Sequence, residues 1–162
     1  MSSRSTALAA WEALFRAQVA VMRDLQREFP TGEVSLNEYD VLFNLSRSPD
    51  RRARIRDLNR ELLISPPSLS RLIDRLVARE LVEKCAAPGD GRGIVVALTD
   101  AGYALFHSVG TRHAEAIERR VGSTLDEGEL TTLRDLSDQL RVGSAAEAIA
   151  ADSPAAGSAS TQ

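Results

Sequence analysis

The tripeptide Ser65-Pro66-Pro67 is the hardest boundary in this chain. A serine followed by proline at the first helical position is a strong helix start. A helix arriving from the N-terminal side cannot run through two prolines, because each removes a backbone donor and clashes with the preceding turn. Downstream, Leu69, Leu72, Ile73 and Leu76 stand at i, i+3, i+4 and i+7, which predicts a helix to about Arg79. Upstream, Ile55, Leu58, Leu62 and Leu63 predict a short helix ending near Ile64. The periodicity then changes: Leu81 to Cys85 and Ile94 to Leu98 are strand-like runs. Between them Ala86 to Gly93 is rich in turn formers, so a hairpin with a flexible tip is expected.

Two helices joined by a few residues and followed by a two-stranded hairpin make a winged helix-turn-helix, whose second helix can enter a major groove. At about 100° per residue, the four apolar positions of that helix fall in one sector. Pro67, Ser68, Ser70, Arg71, Asp74 and Arg75 are left on the outer faces. Serine hydroxyls reach phosphate or base edges, and arginine can bond guanine through two parallel hydrogen bonds. A solvated amphipathic helix explains the same residues when the helix is taken alone. A winged-helix module recruited for protein interaction is the alternative function, but it should present apolar or aromatic anchors on that outer side.

The flanks read as long helices. From Thr6 to Phe29 the residues Leu8, Trp11, Phe15, Met22, Leu25 and Phe29 keep a heptad stripe broken at Gln18. The stripe serves either a dimer seam or a core face. Pro30 and Gly32 stop this helix, and Ser35 offers an N-cap for the next, with Leu36, Tyr39, Leu42, Phe43 and Leu45 on its apolar side. Arg47 to Arg56 holds five arginines in ten residues, Arg54 among them, available to a phosphate backbone or to an exposed turn. Thr99 can cap a long helix and Asp126 a last one. Beyond Val142 the chain turns to Ala, Ser and Gly and is expected to be disordered over 143–162. The expected architecture is mainly α with a small β-hairpin wing, in a single domain over 1–142. The winged lobe spans about 36–98, and long N- and C-terminal helices at about 6–29 and 99–141 serve dimerisation.

Composition limits the function further. The opening MSSRSTALAAWEALFR has no long apolar run, and one cysteine makes no internal disulfide, so a cytoplasmic protein without membrane association is expected. No G-x-S-x-G, phosphate-binding glycine loop or H-E-x-x-H occurs, and His107 and His113 are poor joint metal ligands. No enzyme, metal or cofactor is expected. The net charge of −3 argues against a uniformly basic nucleic-acid coat, yet it is unevenly spread. Arg47 to Arg92 holds eleven basic against seven acidic residues, a local +4, and the rest holds nine against sixteen, or −7. Of the twenty basic residues nineteen are arginine, with Lys84 the exception.

The run LNRELLISPPSLSRLIDRLVARELVEK, the wing CAAPGDGRGIVVALTDAG and the long flanking helices resemble the MarR family of transcriptional regulators over roughly Trp11 to Leu140. The resemblance implies a homodimer, interlocked by its terminal helices, that binds double-stranded DNA at an inverted repeat. It makes Ser65, Ser68, Ser70 and Arg71 candidates for groove and phosphate contacts, and Pro67 and Arg75 of the same outer face are counted with them as DNA-binding candidates. Arg92 would be the wing residue entering a minor groove, with Asp90 holding its guanidinium. Gly91 stands where family wings often carry a second basic residue. The resemblance further implies repression relieved by a small, often aromatic or phenolic, effector, for which Trp11, Phe15, Arg16, Tyr39 and Phe43 form the pocket hypothesis. Lys84 beside Cys85 raises the alternative of a thiol-based redox sensor.

Overall fold

The computed structural model describes residues 3–30, 32–87 and 90–151, at 3, 87, 90–92 and 144–151 in backbone only. It divides into two units, residues 1–120 and 121–162.

The first unit opens with α1 (Ser3–Glu28), followed by α2 (Leu36–Arg47). Ser35 and Glu38 form a reciprocal capping box at the start of α2: the Ser35 N–H donates to Glu38 Oε2 at 2.8 Å, and the Glu38 N–H donates to Ser35 Oγ at 3.3 Å. A 3-10 turn at Pro49–Arg51 leads to β1 (Arg52–Arg54), then α3 (Ile55–Glu61) and α4 (Pro66–Ala78). The helix-turn-helix expected around Ser65 is therefore α3 and α4. Strands β2 (Val82–Ala87) and β3 (Asp90–Leu98) form the hairpin, and α5 (Asp100–Ile117) follows at once.

Two expectations are corrected in this lobe. The sheet has three strands in the order β1-β3-β2, not two, because Arg52, Ala53 and Arg54 pair antiparallel with Ala97, Val96 and Val95. The strand pairing also runs through most of the presumed Ala86–Gly93 loop, to Ala87 opposite Asp90, with an irregularity at Ala86/Ala87. Only Pro88 and Gly89 of that loop lie outside the described residues.

The core lies beneath α4. Leu69, Leu72, Ile73 and Leu76 are buried against Val41, Leu42 and Leu45 of α2, Leu58 of α3, Val96 and Leu98 of β3 and Val109 of α5. Each such side chain contributes about 1.5–3 kcal/mol of burial, so the inner face of α4 is fixed and its outer face is left to solvent. The helix ends in a Schellman motif: the Glu80 N–H donates to the Val77 carbonyl and the Leu81 N–H to the Leu76 carbonyl. Glu80 occupies the left-handed position at φ 57°. Thr99 caps α5 by accepting from the Gly102 N–H at 3.0 Å. Its hydroxyl also faces the Glu80 and Leu81 carbonyls at 2.8 and 3.0 Å, hooking the end of α4 to the start of α5.

In α1 only the C-terminal part is anchored. Leu25 and the following Phe29 are buried, Glu28 pairs with Arg119 at 2.9 Å and Asp24 with Arg120 at 2.8 Å. Arg4 to Ala20 is exposed throughout.

The second unit contains α6 (Glu127–Ala151), opened as expected by Asp126, whose carboxylate accepts from the Glu129 N–H at 2.8 Å while Glu129 accepts from the Asp126 N–H at 2.9 Å. The helix continues to Ala151, past the expected boundary at 142. Ala145, Ala146, Ala148, Ala150 and Ala151 carry the highest helix propensity of any residue type, which outweighs the low-complexity appearance of that stretch. Residues 152–162 of the expected disordered tail lie outside the described residues.

Candidate nucleic-acid interface

The sequence dictates an outer face on α4, and the structure places it as the angles require. Pro67, Ser70, Arg71, Asp74 and Arg75 are exposed and Ser68 is half-buried, above the buried leucine and isoleucine stripe. Ser65 is the N-cap residue by its extended backbone, but its hydroxyl makes no cap bond. An N-cap side chain accepts from the second or third helical N–H, and Pro67 at the second position has none. The Ser65 hydroxyl instead lies 2.9 Å from Ser68 Oγ, and Arg71 Nη2 donates to the same oxygen at 3.3 Å. Ser65, Ser68 and Arg71 thus form one chain along the first turns of α4, with the guanidinium held at its end.

Arg75, its side chain 58% exposed on that outer face, also has a partner within the lobe. Its Nε lies 3.4 Å from Glu38 Oε1, a carboxylate only 10% exposed. Burial raises the Glu38 pKa, but the Ser35 backbone and hydroxyl donors and then Arg75 outweigh that and hold it below the ordinary carboxylate value. Arg54 ends β1 and is the N-cap residue of α3, half-buried. Of the other arginines in that run, Arg51 lies 3.7 Å from the Tyr103 ring centre and pairs with Asp100, Arg47 lies over Phe43, and Arg56 pairs with Asp57. Asp90 and Arg92 are in the first residues of β3, and their side chains, with the expected pair between them, lie outside the described residues.

The five residues of the pocket hypothesis are not brought together. Trp11 and Phe15 stack on each other on the exposed part of α1, 63% and 51% exposed, and Arg16 pairs with Glu12 beside them at 2.7 Å. Tyr39 is buried, stacked on Phe106 at 5.4 Å and met edge-on by Phe29 and His113. Phe43, 38% exposed, joins that second group through Phe106. Lys84 and Cys85 are successive strand residues and so point to opposite faces, and the Lys84 ammonium is engaged by Asp74. Among the described residues no helix is long and apolar enough to cross a membrane, and no group of three or more His, Cys, Asp or Glu could hold a metal.

Sequence reading missed Glu38. The Ser35-Leu36-Asn37-Glu38 spacing of a capping box was there to find it; its second role, toward α4, joins residues far apart in the chain.

A three-stranded wing behind a helix-turn-helix whose second helix exposes serine and arginine defines a winged helix-turn-helix protein. Comparison with known proteins narrows this class. The family model described as "MarR family" matches residues 33–93. The regulator PecS of Dickeya dadantii is 32% identical over 125 residues, covering 76% of this chain and 74% of PecS. The chain belongs to the MarR family. Among solved structures it is similar in fold to Sco3205 of Streptomyces coelicolor, determined in complex with DNA, with TM-score 0.72, 24% identity and coverage of 88% and 89% of the two chains. It is also similar to BpsR of Bordetella bronchiseptica, whose DNA binding is regulated by 6-hydroxynicotinic acid, with TM-score 0.70, 22% identity and coverage of 82% and 98%.

Proposed function

We propose that this chain is a homodimeric, DNA-binding repressor that reads a pseudo-palindromic operator and is released by a small aromatic or phenolic ligand. The observation that carries the DNA reading is the outer face of α4, where Pro67, Ser70 and Arg71 are exposed and the Ser65–Ser68–Arg71 chain aims a guanidinium outward. Arg71 is the base reader, the serines are phosphate or base-edge donors, and Arg92 on the wing reaches the adjacent minor groove.

The dimer follows from α1. Seventeen consecutive residues, Arg4 to Ala20, are exposed in a helix that keeps Leu8, Trp11, Phe15 and Val19 on its surface. A helical segment with no buried face is marginal in water, and a second copy of the chain supplies the missing cover. α6 likewise leaves Leu133 and Leu136 half-exposed. Two winged lobes held this way fit half-sites about one helical turn apart. Phe43, half-exposed beside Phe106, supplies apolar surface for an effector, which acts only through a difference in affinity between DNA-competent and incompetent states. The likeness to BpsR supports that part by fold alone.

Selection of bound duplexes from a randomised pool at fixed salt tests the proposal. Enrichment of an inverted repeat is expected; a pool that stays random would overturn the reading.

A further inference from the structure

We propose that Glu38 is a positioning residue for the recognition helix, clamping Arg75 and Arg79 so that Arg75 acts through the seating of α4 and not by touching phosphate. The inference rests on the reading of α4 as the DNA-reading helix and goes beyond it by removing one arginine from the contact set.

The clamp is built at one end of α4. The Glu38 carboxylate accepts from the Ser35 N–H at 2.8 Å and lies 3.0 Å from the Ser35 hydroxyl. Its other oxygen faces Arg75 Nε at 3.4 Å, and Arg79 Nη1 stands 3.8 Å from Oε2. Arg79 also donates to the Glu33 carbonyl, while Arg112 of α5 pairs with the Glu33 side chain. The last turn of α4 is therefore tied to the 33–38 segment by two arginines, and that segment is tied to α5.

Geometry makes this end a lever. From Ser70 to Arg79 the helix rises nine steps, about 14 Å along the axis at 1.5 Å per residue. A rotation of about 10° at the clamp moves the Ser70 end by roughly 2 Å, more than the spread of useful hydrogen-bond lengths. The groove-facing groups sit in the first turns and the clamp in the last, so holding one sets the other. Charge points the same way. A carboxylate this buried needs its cations, because removing them leaves an uncompensated charge in a poorly solvated site. Arg75 keeps 58% of its side chain exposed, so what holds it off the DNA is the engagement of its Nε by Glu38. An arginine that meets no phosphate adds nothing to the slope of log K against log salt, whereas each phosphate contact adds about 0.9.

The experiment is a salt series of binding constants on the duplex the wild-type protein selects, for wild type, Arg75→Ala, Glu38→Gln and Glu38→Asp. Arg75→Ala and Glu38→Gln are expected to weaken binding about tenfold or more by misplacing the Arg71 contact. They should keep the wild-type salt slope, be no worse in combination than singly, and be partly rescued in Glu38→Asp. A slope shallower by about one for each Arg75 engaged would overturn the clamp and restore the phosphate contact; wild-type affinity in Glu38→Gln would overturn it too. Should Glu38→Gln fail to fold, the Arg75→Ala slope decides alone. Absence of wild-type binding to any duplex removes the reading of α4 and the clamp with it, whereas a changed slope with wild-type binding intact removes the clamp only.

Discussion

A Cβ atom placed on Gly102 would stand 2.0 Å from the Leu81 carbonyl oxygen and 2.8 Å from Leu98 Cδ1. The Leu81 carbonyl is also where Thr99 hooks the end of α4 to the start of α5. The glycine of the Leu98-Thr99-Asp100-Ala101-Gly102 run is thus required by close approach, since the oxygen it faces is backbone and cannot swing away. Gly102→Ala is expected to destabilise the fold by about 3 kcal/mol through overpacking, read as a lower urea midpoint. A midpoint equal to wild type would mean that the α4–α5 junction yields more easily than this packing allows.

Glu80 gives the opposite expectation. It holds φ 57° at the end of α4, a conformation costing an L-residue roughly 1–2 kcal/mol and a glycine almost nothing. Its side chain is exposed, so Glu80→Gly removes the strain without emptying the core. Thermal unfolding should shift upward by about 1 kcal/mol of stability, the loosened unfolded chain taking back part of the gain. A lower melting temperature would show that the Glu80 side chain contributes more than its backbone costs.

His113 makes stability depend on pH. It is 9% exposed, meets Phe29 and Tyr39 edge-on at 5.2 and 5.3 Å, and its Nδ1 has no hydrogen-bond partner among the described residues. Burial lowers its pKa below the ordinary 6.5. The unfolded chain therefore takes up the proton more readily, so this group's contribution to stability is whole above pH 6.5 and declines as pH falls toward the lower folded value. Denaturation midpoints of wild type should fall more steeply as pH drops below 6.5 than those of His113→Phe, which keeps a ring and loses the titration. Parallel profiles would remove His113 as the cause.

The exposed stretch of α1 bears on assembly. Trp11→Glu with Phe15→Glu replaces two large apolar side chains that lie outside the lobe core. The lobe should melt as before while sedimentation shows a weakened or lost dimer. An unchanged dimer at the same concentration would place the seam elsewhere.

How much of this was legible in the sequence depends on the range of the interaction that decides each element. The boundary at Ser65-Pro66-Pro67, the inward stripe Leu69, Leu72, Ile73 and Leu76, and the caps at Ser35, Thr99 and Asp126 are local, set by residues within one or two turns, and they stand as read. Strand β1 was not visible, because three residues carry no period and Arg52 to Arg54 are extended only through their pairing with Ala97 to Val95. The clamp of Glu38 on Arg75 joins residues 37 apart in the chain, which no periodicity reports. Trp11 and Tyr39 were grouped as aromatics on adjacent helices, yet one lies on an uncovered stretch of α1 and the other is enclosed by Phe29, Phe106 and His113. Helix period shows which residues share a face, but what covers that face is decided by the tertiary fold.

The most direct test of the central claim is the sequence preference of Arg71→Ala, measured by quantitative footprinting on the selected inverted repeat and on single base-pair variants of it. A base contact through the Arg71 guanidinium should be worth about 1–3 kcal/mol, so the variant is expected to bind the repeat more weakly and to become indifferent to one base pair in each half-site. Unaltered discrimination at every position would contradict the assignment of the α4 outer face as the surface that reads DNA.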